Sequence, residues 1–332
     1  MNRFASTALY GALVFGASSA VAQDYQLGLS TSQPMSDPLA QAMVSAKEAI
    51  EERTDGAVDV TIYPSSQLGE DNDVLEQIRN GAPFAVLVDA GRLAPFKKEL
   101  GILSAPYLVD DYTQYAAITN SPVYQDWVDD LADSSGLRLL NYNWFQGTRQ
   151  MFTQDKVESP EDLGGVRVRT IDAPIWVASV KAMGATAVPM AWADVYSGLQ
   201  MEAIDGAEAQ LTGAEGINLQ EVTNNVAFTN HIQLFTGLAV SERWWQSLPD
   251  DVRTIVDEEL RAAGDLATED TVAALEAVQG RMEEAGVEFN EVDVEPFRER
   301  TLGVYGEVGL DAARESLKPY LPGGEKAGES TQ

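Results

Sequence analysis

Apolar positions along the chain follow two periods in alternation. Leu27 and Leu29 flank Gly28 in a short strand pattern that ends near Ser30. Asp37-Pro38 then opens a helix, since the carboxylate can cap free amides and the fixed φ of proline suits a first turn. Leu39, Met43, Ala46 and Ile50 supply its buried stripe. Val58, Val60 and Ile62 alternate with Asp59 and Thr61, the pattern of a half-buried strand. After a Pro64-Ser65-Ser66 loop, Val74, Leu75 and Ile78 mark a short helix stopped by Asn80-Gly81, and Ala85-Val86-Leu87-Val88 reads as a buried strand. Helix and strand go on alternating to about Pro189, which predicts an α/β fold with parallel or mixed sheets and crossover helices.

Beyond Pro249 the period is helical throughout: Val252, Ile255, Val256, Leu260, Leu266, Val272, Leu275 and Val278. Roughly thirty residues exceed an ordinary globular helix, so either the segment breaks near Gly264 or one helix spans two lobes. No short repeat and no Pro-rich linker separates independent halves, which favours two lobes crossed several times by the chain. The last ten residues, from Gly323-Gly324, read as a loose tail.

The N-terminus places the chain outside the cytoplasm. Arg3, the apolar stretch Ala8 to Ala17 and the small residues Ala20-Val21-Ala22 form a secretory signal pattern. Gly11, Gly16, Ser18 and Ser19 interrupt the apolar run, which falls short of the ~20 residues a membrane span needs. Residues 1–22 are therefore expected to be removed on export to the periplasm.

Composition then removes whole classes of chemistry. Among 332 residues, 52 Asp and Glu face 22 Lys and Arg, a formal net charge of -30 that repels nucleic-acid phosphates and anionic lipid. The absence of cysteine excludes disulfides, thiolate catalysis and Cys-based metal sites, and a single histidine, His231, excludes a His-pair site. There is neither a Gly-Lys-Ser/Thr phosphate loop nor a Gly-x-Ser-x-Gly elbow. No cofactor is expected.

What remains is a short set of candidates. In Gly165-Val166-Arg167-Val168-Arg169-Thr170, strand alternation puts the valines on one face and both arginines on the other. They are either solvated on an edge strand or aimed into a cleft, where a guanidinium can hold a carboxylate by two parallel hydrogen bonds. Trp192 follows Pro189-Met190-Ala191 at a strand-to-helix turn and either packs in the core or walls a pocket. Trp244-Trp245 looks like packing at a helix start, and His231 like a satisfied structural histidine. With 52 acids, a carboxylate pair for sugar hydrolysis carries almost no signal, although an exported hydrolase stands as the alternative.

An ordered set of motifs adds to this reading. Tyr63-Pro64-Ser65-Ser66-Gln67-Leu68-Gly69-Glu70-Asp71, Ala105-Pro106-Tyr107-Leu108, Gly147-Thr148-Arg149-Gln150 and Ser159 to Arg169 come first. Gly184-Ala185 leading to Pro189-Met190, then Asp194 to Gln200 and Ile204-Asp205-Gly206, complete it. In order and spacing, from Tyr25 to Tyr320, the chain resembles the substrate-binding subunits of TRAP (tripartite ATP-independent periplasmic) transporters, the DctP-type family. That resemblance implies a two-lobed periplasmic binding protein with mixed sheets, hinge strands and a long lobe-spanning helix. Lobe I would take residues 23–146 and 235–275, and lobe II residues 147–234 and 276–322. The implied function is capture of a small organic acid by hinge closure and delivery to TRAP membrane subunits, without catalysis and as a monomer. Arg169 matches the family's carboxylate-gripping arginine and Arg149 a second anion contact, while Ser30, Asp71, Asp89, Arg92, Asp172 and Trp192 fall at pocket-lining positions. Where many relatives carry a clamp asparagine this chain has Ala209, so Gln210 or Glu208 substitutes for it or the carboxylate is held differently.

Overall fold

The computed structural model describes residues 25–326, so the expected signal segment and the end of the expected tail lie outside the described residues. Ten strands form one mixed sheet. They are β1 (Tyr25–Ser30), β2 (Val58–Tyr63), β3 (Phe84–Val88), β4 (Leu137–Leu139), β5 (Trp144–Thr153), β6 (Arg167–Thr170), β7 (Thr186–Pro189), β8 (Gly206–Ala209), β9 (Asn225–Ser241) and β10 (Glu288–Glu291). Their order is β2-β1-β3-β9-β5-β8-β6-β7, with β4 and β10 also paired to β9. β1 runs parallel to β2 and β3, and β6 parallel to β7 and β8, whereas β9 is antiparallel to β3 and β5. Among the described residues, no helix is long and apolar enough to cross a membrane.

Strand β9 ties the two halves together. Its end, Gly237 to Ser241, pairs with β3 and β4, and its earlier residues pair with β5 and β10. The strand is 17 residues long and buried nearly throughout, so it shows no polar alternation along its sequence.

The long helical pattern is one helix, Asp250–Glu284, which runs unbroken through Gly264. Val252, Val256, Leu260, Ala263 and Ala267 pack with Leu39, Met43 and Ile50 of the helix Pro38–Arg53. Val278 and Met282, near its other end, pack with Phe152, Leu199 and Val226. Gly264 is required by a close approach: a Cβ there would sit 2.5 Å from Asn143 Oδ1. The Asn143 amide donates to Arg261 O at 2.8 Å and to Asp265 Oδ1 at 2.7 Å, fastening the start of β5 to the helix.

The C-terminal helices pack against an early stretch of the chain. Val304, Tyr305, Leu310 and Leu317 share a core cluster with Leu100, Leu103, Ile118 and Leu131. Ile171, Ala173, Ile175 and Trp176 join the same cluster, so the start of the helix Pro174–Met183 is packed against the first half. Trp244 and Trp245 are buried in the helix Glu242–Ser247, which Ser241 caps.

Asp37 caps the helix Pro38–Arg53 as expected, accepting from Leu39 N at 2.9 Å, but its Oδ2 has no donor. Burial raises its carboxyl to about 6, against the pull of the Leu39 amide. A native pKa above the unfolded one means the folded chain holds the proton more tightly, so this contribution to stability is present at low pH and lost as pH rises through about 6. Asp37→Asn keeps a capping acceptor without the titration. Relative to wild type it is expected to gain stability as pH rises through roughly 4 to 6, as urea unfolding on either side of that window measures. Parallel pH profiles for the two proteins would refute the assignment.

Candidate functional site

A cavity of about 40 Å³ lies where β3, β5, β6 and β9 meet, with Leu87, Arg149, Arg169 and Thr236 contributed by these strands. Strand β5 is irregular there. Its register with β9 shifts between Phe145 and Gly147 and again between Arg149 and Met151, and such bulges re-aim side chains at functional sites. Gly147 has φ +114°, and a Cβ on it would lie 3.2 Å from the Cβ of Gln210, so only glycine lets the two segments approach. As a result Gln146, Arg149 and Gln210 all line the cavity.

Arg169 is 1% exposed, and its Nε donates to Met190 O at 2.8 Å. It has no ion-pair partner among the described residues, and its terminal nitrogens make no hydrogen bond there. Its Cζ stands 5.1 Å from the centre of the Trp192 ring. Burial lowers its pKa to about 9; Glu208 opposes this, while Arg149 and Arg92 add to it. The guanidinium is thus charged at neutral pH, desolvated and short of a counter-ion. Arg167, two residues earlier, instead pairs with Asp205 at 2.6 Å at the half-exposed start of β6.

Arg149, expected as a second anion contact, lines the cavity and is already paired within the protein. Its Nε donates to Glu208 Oε2 at 2.5 Å, and its other nitrogens donate to Gln210 Oε1 and Glu208 O. The Trp176 ring lies 5.3 Å from its Cζ. Burial alone would raise the Glu208 carboxyl, but Arg149, with His231 nearby, holds it down to about 2. His231 Nδ1 bonds Thr229 Oγ1 at 2.8 Å, whereas its Nε2 has no hydrogen bond and sits 3.8 Å from Glu208 Oε2. The structural histidine is therefore satisfied on one side only, and burial lowers its pKa.

An acidic cluster lines the same cavity. Arg92 Nε is 3.2 Å from Asp89 Oδ2 and 3.6 Å from Asp71 Oδ2. Asp89 Oδ1 accepts from Gly91 N, Ser104 Oγ and Trp176 Nε1, at 2.9, 3.2 and 2.7 Å. Burial raises Asp71 to about 6, with Arg92 pulling it down, Glu70 and Asp89 pushing it up, and Arg169 pulling it down.

Seven of the nine expected positions line this cavity: Arg169, Arg149, Trp192, Asp71, Asp89, Arg92 and Gln210. Ser30 and Asp172 do not. Ser30 is buried as the last residue of β1, and Ser32 and Gln33 in the following loop take the lining place. Asp172 is exposed because β6 ends at Thr170 and Ile171 turns inward instead; only the Asp172 carbonyl meets a neighbour, Asn72 Nδ2 at 3.5 Å. Ala209 packs in an apolar cluster with Phe152 and Val226, while Gln210 reaches the cavity and Glu208 binds Arg149. The sequence reading missed Gln33, Gln146 and Thr236. Gln146 directly precedes the Gly147-Thr148-Arg149 stretch, the one signal that could have found it. A larger open depression of about 820 Å³, around Asp311 to Glu325, is lined by exposed or half-buried side chains and gathers no buried charge.

Comparisons with known proteins identify the family and the fold. Residues 29–310 match the model for bacterial extracellular solute-binding protein, family 7. The sialic acid-binding periplasmic protein SiaP of Vibrio cholerae is 30% identical over 78% of this chain and 81% of its own length. A TRAP periplasmic solute binding protein from Escherichia fergusonii, in an apo open structure, is 38% identical with TM-score 0.79, covering 88% of this chain and 98% of that one. Another, from Ochrobacterium anthropi with bound L-fuconate, is 26% identical yet superposes at TM-score 0.86, covering 90% of this chain and 99% of that one.

Proposed function

The chain belongs to bacterial extracellular solute-binding protein family 7, and from that premise we propose that it captures a small hydroxylated organic acid in the central cavity, with Arg169 gripping the carboxylate. The observation that carries this reading is a buried guanidinium with no ion-pair partner among the described residues. A ligand carboxylate would supply the missing counter-ion through two parallel hydrogen bonds. Two relatives, binding sialic acid and L-fuconate, support a hydroxylated monoacid as the class.

Capture would proceed by closure of lobe I, residues 23–146 and 235–275, upon lobe II, residues 147–234 and 276–322. β9 and the helix Asp250–Glu284 are the continuous elements about which the lobes turn. The better fit to the L-fuconate complex than to the more identical open structure supports a closed state here. A ligand shifts that equilibrium only by binding the closed form more tightly. The closed protein, a periplasmic monomer beginning at Gln23 after loss of the signal, would then present its cargo to TRAP membrane subunits. The family supplies binding components of transporters rather than enzymes, and the hydrolase alternative finds no support. Asp71 and Asp89 share one arginine.

A thermal-shift screen of hydroxylated monoacids, followed by small-angle scattering on the hits, tests this. Hits are expected to reduce the radius of gyration at saturation, and the mass of periplasmic protein to begin at Gln23. Hits confined to uncharged sugars, or an unchanged radius, would overturn the proposal.

A further inference from the structure

We propose that Asp71 and Asp89, sharing the guanidinium of Arg92, make this cavity select acids with one carboxylate and a hydrogen-bond-donating far end, and reject acids with a second carboxylate there. This rests on the reading that Arg169 holds the first carboxylate. Three guanidiniums line the cavity. Arg149 is neutralised by Glu208, and Arg92 is divided between two carboxylates, which leaves Arg169 as the one lining arginine free to take an anion. The cluster of Asp71, Asp89 and Arg92 carries one negative charge in excess.

The two aspartates differ in what they can still accept. Asp89 is fixed by three donors on Oδ1 and by Arg92 on Oδ2. Asp71 is 8% exposed and accepts no hydrogen bond among the described residues, and Arg92 Nε, at 3.6 Å, is beyond hydrogen-bond range. Gln33 Oε1, on another lining residue, also lacks a donor. A ligand hydroxyl or ammonium satisfies Asp71, whereas a second carboxylate brings like charge against it in a largely buried setting. The raised pKa of Asp71 is what that environment produces.

Matched acids separate charge from shape: threonate against tartrate, and galactonate against galactarate, differ only by a terminal hydroxymethyl or carboxylate. Calorimetric titration of wild type is expected to show each monoacid binding about a hundredfold or more tighter than its diacid. In Asp71→Asn the gap is expected to narrow at least about tenfold, as the diacid gains and the monoacid loses. Asp71→Ser removes the same charge and gives the same narrowing should the asparagine variant fold poorly. Diacids binding wild type as tightly as monoacids, or a gap unchanged in both variants, overturns the selectivity. Binding that persists in Arg169→Ala, or no binding by any of the four acids, overturns the carboxylate-capture reading instead.

Discussion

Arg169→Ala is expected to weaken binding of the cognate acid by about 3–5 kcal/mol, or about two to three and a half decades of affinity. The size follows from placement. The guanidinium is 1% exposed and its terminal nitrogens have no partner among the described residues, so its loss strands a desolvated carboxylate. Arg169→Lys keeps the charge but loses the planar fork, and is still expected to bind appreciably more weakly. The same placement makes the residue a burden on the unliganded fold, because a buried charge without a counter-ion is costly. The melting temperature of unliganded Arg169→Ala is thus expected to equal or exceed that of wild type, while the ligand-induced rise disappears. Arg167→Ala, which loses only a half-exposed pair with Asp205, is the control. Calorimetry together with melting curves separates binding from folding: an Arg169→Ala protein that binds the acid like wild type removes the clamp.

Where a local pattern decides an element, the sequence reading and the structure agree. Asp37-Pro38 starts its helix because a cap and a proline act within one turn, and Val58 to Ile62 alternate because one face meets the core. Continuity at Gly264 could not be read, since glycine in a helix ordinarily signals weakness. The reason it is there, the side chain of Asn143, lies more than a hundred residues away. The full length of β9 was hidden for the opposite reason: burial on both faces erases the alternation that marks a strand.

The site divides along the same line. The two arginines of the Arg-Val-Arg stretch look alike in sequence, and only the depth of each along β6 distinguishes a buried cation from a half-exposed one. Asp172 was expected to line the pocket, but the strand ends one residue before Ile171 turns inward, and boundaries are the least legible feature of a pattern. The pairing of Arg149 with Glu208 was unreadable among so many acids, yet it decides how many charges the cavity can accept.

Glu208→Ala is expected to destabilise the fold by about 3–5 kcal/mol, a large share of the roughly 5–15 kcal/mol that holds an ordinary domain. Both partners of the pair are essentially inaccessible, at 3% and 0% side-chain exposure. Glu208 takes two hydrogen bonds from Arg149, on Oε2 and on its carbonyl, and a third from Thr170 Oγ1 at 3.0 Å. Truncation leaves a buried guanidinium beside that of Arg169, whose pKa Arg149 already lowers. Glu208→Gln keeps the shape and the acceptors but not the charge, and is expected to fall between wild type and Glu208→Ala. Removing both charges, as in Arg149→Met with Glu208→Leu, is expected to recover much of the loss, because a buried pair contributes little net stability over apolar packing. The acid limb supplies a second reading. Glu208 has a native pKa of about 2, below its ordinary value, so its contribution is present above the unfolded pKa and fades as pH falls from roughly 4 toward 2. Glu208→Gln lacks that titration, and its deficit against wild type is expected to shrink over the same interval. Urea unfolding at neutral and acid pH measures both effects. A Glu208→Ala protein within about 1 kcal/mol of wild type would mean that water reaches Arg149, and that the cavity holds two usable cations instead of one.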